Sequence, residues 1–249
     1  MRMEINADYY KFENFLKTLP KTFEKGGETI YKSRNELKIF EQEELLLTVK
    51  RYKKPLLVNR IAYTFFRKSK ARRAFENATT LLEKGFETPA PIAYLEILEG
   101  GLLIDSYFVS LYCPYKRLFR EFADESAIDG REEIIQSFGL LLARLHEANI
   151  FHLDLSVGNV LFDQLLDGFH FSLVDLNRMK FKKIDLKDGC RNFERLRGSD
   201  DFFRLMAKTY AIERGFDVET TIKLVLEAHQ KSLLRFKRKR QIKKAFFRK

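Results

Sequence analysis

The chain has 249 residues, 45% of them apolar, which suits one large domain or two small lobes with a true core. No run approaches the ~18–20 consecutive apolar residues that span a bilayer. The opening Met1-Arg2-Met3-Glu4-Ile5-Asn6 lacks the apolar stretch of a secretory signal. Cys113 and Cys190 are too few and too distant in sequence for a disulfide framework, so a reduced, cytosolic setting is expected.

The formal charge of +11 is unevenly spread. From Leu45 to Phe75 there are ten basic residues and no acidic one, and Lys231–Lys249 repeats that balance. Such blocks call for an anionic partner: acidic lipid, a phosphorylated substrate or nucleic acid on charge alone. A solubilising tail is the plain alternative for the second block.

In chain order, Thr29–Tyr31, Glu36–Phe40 and Leu45–Tyr52 are β-prone runs separated by polar turns. A basic connection follows, then a helix over Lys70–Lys84, where Ala71, Ala74, Phe75, Ala78, Leu81 and Leu82 form one apolar stripe. Gly85 stops it, and Pro89 and Pro91 prevent its continuation. Strands are expected around Ile92–Leu98 and Leu102–Leu111.

The pattern changes at Tyr112-Cys113-Pro114-Tyr115. Beyond it, Ile134, Ile135, Phe138, Leu141, Leu142 and Leu145 line a helix whose start, Asp129 followed by Glu132, reads as a capping box. Val160–Phe162 and Phe169–Val174 read as a hairpin turned at Asp167-Gly168, and the chain is helical in pattern from about Asn192. The expected fold class is α+β: an antiparallel β-sheet lobe with one long helix (residues 1–111), a hinge at 112–115, and a mainly helical lobe (116–249) ending in the basic tail.

One segment carries chemistry. His152-Leu153-Asp154-Leu155-Ser156-Val157-Gly158-Asn159 has the spacing H-x-D-x-x-x-x-N, and an apolar strand ends at Asp175 sixteen residues later. Phosphoryl transfer needs a carboxylate to accept or orient the acceptor hydroxyl. It also needs an Asn and a second Asp as hard oxygen ligands for Mg²⁺ against the phosphates. Singly, an Asp after a strand is usually a turn or cap residue, and a lone His is usually structural. Their joint order and spacing point instead to Asp154 as base with Asn159 and Asp175 on the metal. Upstream, Lys50 on the third strand is placed to reach the α/β-phosphates of ATP. Glu76 in the following helix is placed to hold that lysine by an ion pair, with Glu83 as the competing choice.

These segments resemble the bacterial lipopolysaccharide core kinases, which phosphorylate Kdo or heptose and belong to the protein-kinase-like superfamily. The resemblance rests on Ser69–Glu76, Leu145–Leu155, Gly158–Leu161 and above all Val174-Asp175-Leu176-Asn177-Arg178, and covers roughly Gly27 to Tyr210. It implies the two-lobed protein-kinase-like fold, ATP and Mg²⁺ as cofactors, and a lipid A-linked core sugar as acceptor. It assigns Asp154 as base, Asn159 and Asp175 as metal ligands, and Lys50 with Glu76 to the phosphates.

The chain departs from the general kinase pattern in three places. No G-x-G-x-x-G joins the first two strands; the loop is Lys32-Ser33-Arg34-Asn35, and Arg34 is the candidate substitute for the missing backbone donors. Asp175 is followed by Leu-Asn instead of Phe-Gly, and no A-P-E appears downstream. These departures favour a small or lipid-linked acceptor over a peptide. An atypical protein kinase, another small-molecule kinase and a pseudokinase-type binding module are the competing readings; nucleic acid is not the expected partner. An acceptor built on lipid A places the chain at the anionic inner face of the inner membrane, with Lys231–Lys249 as the expected surface anchor.

Overall fold

The structure, a computed structural model, describes residues 1–124 and 128–246. Phe247, Arg248 and Lys249 of the basic tail lie outside the described residues. The chain forms two units: Met1–Pro114 together with Ser172–Arg178, and Tyr115–Phe171 together with the residues from Met179 on.

The first unit is built on strands β1 (Arg2–Ile5), β2 (Glu28–Lys32), β3 (Glu36–Gln42), β4 (Leu45–Tyr52), β5 (Pro91–Glu99) and β6 (Leu102–Leu111). They form one antiparallel sheet in the order β1-β5-β6-β4-β3-β2. Glu43 and Glu44 turn β3 into β4 with φ of 47° and 63°, the doubly left-handed geometry that matches the twist of paired strands.

Three helices belong to this unit, where the sequence pattern announces one: α1 (Glu13–Lys25), α2 (Leu57–Phe65) and α3 (Lys70–Glu83). Pro20 lies inside α1, where it removes a backbone donor and obscures the helical pattern. The basic connection after β4 contains α2, which buries none of its residues. Its apolar stripe therefore has no counterpart in the core.

Alternation along β4 decides which side chains meet which helix. Leu47 and Val49 join Phe12, Leu16, Leu19 and Phe23 in a core under α1. Tyr52 points to the other face, where Ala71, Ala74 and Phe75 of α3 and Tyr94 of β5 pack. Lys50, two residues from Tyr52, shares that second face. Ser69 caps α3, its hydroxyl accepting from the Arg72 N–H at 3.1 Å. The helix buries Ala71, Ala74, Phe75, Ala78 and Leu81, while Leu82 of the expected stripe stays exposed.

The second unit contains β7 (Arg117–Leu118), α4 (Arg131–Glu147), β8 (Ile150–His152), β9 (Val160–Leu165), β10 (Gly168–Leu173), β11 (Met179–Phe181), α5 (Leu186–Asn192), α6 (Asp200–Glu213) and α7 (Val218–Phe246). β10, β9 and β7 make a small sheet, and β8 pairs with β11. The β9–β10 turn falls at Leu166-Asp167, one residue earlier than the sequence suggests. α4 has no capping box: Gly130, at φ 68°, is its N-cap and contributes no side-chain bond.

Much of the chain's phenylalanine is spent on the second unit's core. Phe119 contacts Phe138 and Phe122 with ring centroids 4.2 and 4.7 Å apart, and Phe162, Phe171 and Phe202 surround them. Offset and tilted ring pairs of this kind add to the burial of large apolar area.

The segment Ser172–Arg178 groups with the first unit for reasons visible in its bonds. The Leu173 N–H donates to the Glu87 carbonyl at 3.0 Å, and the Thr88 hydroxyl donates to the Leu173 carbonyl at 2.7 Å. Asn77 and Arg73 of α3 donate to the carbonyls of Leu176 (2.6 Å) and Asn177 (2.8 Å).

Candidate active site

In the first unit, the site grows from the second face of β4. Lys50 Nζ lies 2.5 Å from Asp175 Oδ1 and 5.1 Å from the centre of the Tyr52 ring. The Asn177 amide donates to the same carboxylate oxygen at 2.7 Å. Asp175 has φ 60°, a left-handed conformation that few residues other than glycine, Asn and Asp adopt. A short polar side chain is thus suited to this corner for backbone reasons as well as for charge. The two α3 side chains on the Leu176 and Asn177 carbonyls fix the corner from below.

The expected Lys50–Glu76 ion pair does not form. Glu76 bonds instead to Lys68 Nζ at 2.8 Å and to Arg72 Nε at 2.9 Å. Burial pushes the Glu76 carboxyl up, but these two cations outweigh it and hold the group below its ordinary value. The physical reason is proximity: Arg72 sits one helical turn before Glu76, and Lys68 is just ahead of the helix. Lys50 is satisfied by Asp175. Glu83, the alternative choice, is exposed at the end of α3.

Arg34 stands in the β2–β3 turn and lines a cleft of about 270 Å³ within the first unit, with Asn35, Tyr52, Lys53, Lys54 and Lys70 among its other walls. Its charged lining residues are all cations. Burial, then the neighbouring guanidiniums of Arg34 and Arg73, lower the Lys70 ammonium from its ordinary value. The Tyr52 hydroxyl is buried with no hydrogen-bond partner among the described residues. Burial, then the Asp175 charge, hold it well above the ordinary phenol value, so it remains a neutral donor. A cationic cleft with a spare buried hydroxyl suits an anionic, oxygen-rich ligand such as a polyphosphate.

In the second unit, the H-x-D-x-x-x-x-N segment follows β8 and turns on itself. The Asp154 N–H donates to His152 Nδ1 at 3.1 Å, so His152 shapes the turn. The Asn159 amide nitrogen donates to the Asp154 carbonyl at 2.8 Å. Arg195, which the sequence reading does not single out, donates from Nη1 to Asp154 Oδ1 and at 3.3 Å to the Leu153 carbonyl. A charge-assisted contact of this type fixes the carboxylate's orientation.

A buried relay braces this turn from beneath. The Asn192 amide donates to the His152 carbonyl at 2.9 Å, and its oxygen lies 3.0 Å from His146 Nε2. His146 Nδ1 lies 2.8 Å from the Tyr210 hydroxyl, which accepts from Arg214 at 3.0 Å. One proton arrangement satisfies every member: Arg214 donates to Tyr210, Tyr210 to His146 Nδ1, and His146 Nε2–H to Asn192. Burial pushes the His146 imidazole down to about 4, which keeps it in this neutral form. Gly189 of α5 makes the approach possible, since a Cβ there would lie 2.1 Å from the Tyr210 oxygen. Only Leu145-His146 hinted at this relay in the sequence; Asn192 and Tyr210 carried no local signal.

Among the described residues, no group of three or more His, Cys, Asp or Glu side chains could hold a metal unaided. The available donors are an Asp carboxylate and an Asn amide oxygen, both hard oxygens. Each, Asp175 in the first unit and Asn159 in the second, is a donor of the kind Mg²⁺ accepts.

Comparison with known proteins gives a consistent result. Residues 28–212 match the model of the lipopolysaccharide kinase (Kdo/WaaP) family. The chain is 29% identical over 126 residues to a 3-deoxy-D-manno-octulosonic acid kinase of Xanthomonas euvesicatoria pv. vesicatoria (strain 85-10), covering 48% of each chain. It is 27% identical over 151 residues to the protein of the same name from Stenotrophomonas maltophilia (strain K279a), covering 58% of each. The chain spans about half the length of the curated relatives it matches. A solved structure described as WaaP in complex with acyl carrier protein superposes with a TM-score of 0.65 over 93% of this chain and 98% of that one, at 14% identity. The shared fold is protein-kinase-like.

Proposed function

The chain belongs to the lipopolysaccharide kinase (Kdo/WaaP) family, and from that premise we propose that it transfers the γ-phosphate of ATP to a hydroxyl of an inner-core sugar, Kdo. The observation that carries the proposal is the Lys50–Asp175 contact at 2.5 Å. It sets the strand lysine and the acid of the Asp-Leu-Asn-Arg segment side by side, which supports a shared role for the two at the phosphates.

In this reading, Lys50 binds the α/β-phosphates, and Arg34 with Lys70 supplies further cationic charge to them. Asp175 and Asn159 would hold Mg²⁺, which would supply charge neutralisation at the phosphates. Asp154, oriented by Arg195, accepts the proton of the acceptor hydroxyl as its oxygen forms the bond to the γ-phosphorus. The bond from that phosphorus to the bridging oxygen breaks, and ADP leaves with the electron pair. The relay of Asn192, His146 and Tyr210 keeps the Asp154 turn in shape. Kdo is favoured over heptose by the names of the curated relatives.

Among the described residues no helix is long and apolar enough to cross a membrane. A lipid-linked acceptor still requires work at a membrane surface. We assign part of that adsorption, at the inner face of the inner membrane, to the last turns of α7. Thr221, Val225, Ala228 and His229 bury its first half, while Leu233, Leu234, Phe236 and Ile242 are exposed among basic residues. Mass spectrometry of core oligosaccharide from cells with and without the gene product tests the function. One additional phosphate on Kdo, present only with the gene, is the expected result; an unchanged core would contradict it.

A further inference from the structure

We propose that α2 is a lipid-docking element: its outward apolar stripe enters the interfacial layer of an anionic bilayer. The proposal stands on the first unit alone and holds whatever the chain phosphorylates.

The helix is amphipathic in the reverse of the usual sense. A surface helix normally turns its apolar stripe to the core and its polar face to water. Here the polar side faces the protein. Arg60 Nε donates to the Leu103 carbonyl at 3.1 Å, and the Leu103 N–H donates to the Thr64 hydroxyl at 3.0 Å. Asn59 and Tyr63 line the cationic cleft. Leu57, Val58, Ile61 and Phe65 point away. At 3.6 residues per turn they fall within one arc of roughly 100°. Leu56, which lines the cleft, and Phe66 flank the helix at its two ends and are exposed as well. All six are exposed, from 42% for Ile61 to 84% for Phe66. Large apolar side chains scattered singly over a surface need no explanation, but four on one face of a short helix, with Phe66 next to them, mark an interaction site.

Two further observations favour a lipid surface over a protein partner. The stripe is flanked by exposed cations, Lys53 and Lys54 before it and Arg67 after it. No Asp or Glu occurs anywhere from Leu45 to Phe75. Headgroups of anionic lipids complement that charge while the acyl boundary takes the stripe, the arrangement of helices that lie in the membrane interface. The C-terminal end of the helix also carries two rings: Phe65 and Phe66 stand with ring centroids 6.4 Å apart and both are exposed. A pair of exposed rings suits a soft, deformable medium.

The chain contains no tryptophan, so Phe66→Trp provides a fluorophore at one known place. The full chain carrying this substitution is mixed with vesicles of phosphatidylcholine alone or with phosphatidylglycerol added. The expected result is a blue-shifted indole, quenched by lipids brominated on the acyl chain, with the anionic vesicles only. Replacing Leu57, Phe65 and Phe66 together by Ser removes three exposed side chains. It is expected to weaken sedimentation with anionic vesicles by roughly a hundredfold, with an unchanged melting temperature. Co-sedimentation without a blue shift would overturn the proposal and leave adsorption to α7. An equal response to neutral vesicles would overturn the role of the cationic flanks and with it the anionic surface. A blue shift on adding an acidic acyl carrier protein, with none on adding vesicles, would overturn it in favour of a protein partner.

Discussion

Lys50 and Asp175 lie 125 residues apart in sequence, and their charged atoms meet at 2.5 Å. The contact joins a β-strand to a corner whose backbone is left-handed at Asp175 and tied to α3 by Arg73 and Asn77. If the two act as one unit on nucleotide, Lys50→Met and Asp175→Asn should each lower phosphate transfer by roughly 10²–10³-fold. The double variant should then fall little further, because either loss leaves the other group without its function. Steady-state rates of the three variants check this; additive losses would show two independent roles.

Glu76 is expected to matter less. Its partners Lys68 and Arg72 are partly exposed, and such pairs contribute about 1 kcal/mol or less. Glu76→Gln should leave transfer within about fivefold of the unaltered chain, far above Asp175→Asn. The side-by-side rates measure it. A Glu76→Gln variant as impaired as Asp175→Asn would restore the Lys50–Glu76 pair as the working arrangement.

The brace under the Asp154 turn gives a stability test. Asn192→Ala leaves the buried His146 N–H unsatisfied and removes one bond from the His152 carbonyl, at a cost of roughly 1–3 kcal/mol. Gly189→Ala drives a methyl group into the Tyr210 oxygen, and Tyr210→Phe removes that oxygen. The double variant Gly189→Ala with Tyr210→Phe should therefore be more stable than Gly189→Ala alone. Denaturant midpoints decide; no recovery would show that backbone around Gly189 is the obstacle.

Buried neutral His146 also sets a pH dependence. Its folded value, about 4, lies below the ordinary 6.5. Between these values the unfolded chain binds the extra proton, so this contribution is complete above pH 6.5 and is lost as pH falls towards 4. The loss is limited to about 3 kcal/mol. Unfolding measured from pH 7.5 to 4.5 should show that decline, and a substitution of His146 by Gln should flatten it. An unchanged slope in the variant would assign the acid sensitivity to other groups.

What was legible in the sequence follows from the range over which each signal acts. The helix over Lys70–Glu83 and the strands β3 to β6 are local patterns of period, and they stand where the residues indicate. Glu76 does not make the strand-to-helix pair with Lys50 that the spacing suggests, because Arg72 one turn away and Lys68 just ahead of the helix are nearer in sequence. α1 was obscured by Pro20. α2 was hidden because its stripe, read as part of a basic connection, is not used by the core. Arg195, Asn192 and Tyr210 act through contacts 40 to 64 residues distant, which spacing cannot show.

The central claim is tested most directly with purified protein, ATP, Mg²⁺ and a Kdo-bearing lipid A acceptor, comparing the unaltered chain with Asp154→Asn by mass spectrometry of the acceptor. The account predicts one phosphate added to Kdo by the unaltered chain, and a rate lower by ~10²–10⁴-fold for an Asp154→Asn variant of equal stability. Undiminished transfer by Asp154→Asn, or an acceptor left without phosphate by the unaltered chain while it turns over ATP on another substrate, would contradict it.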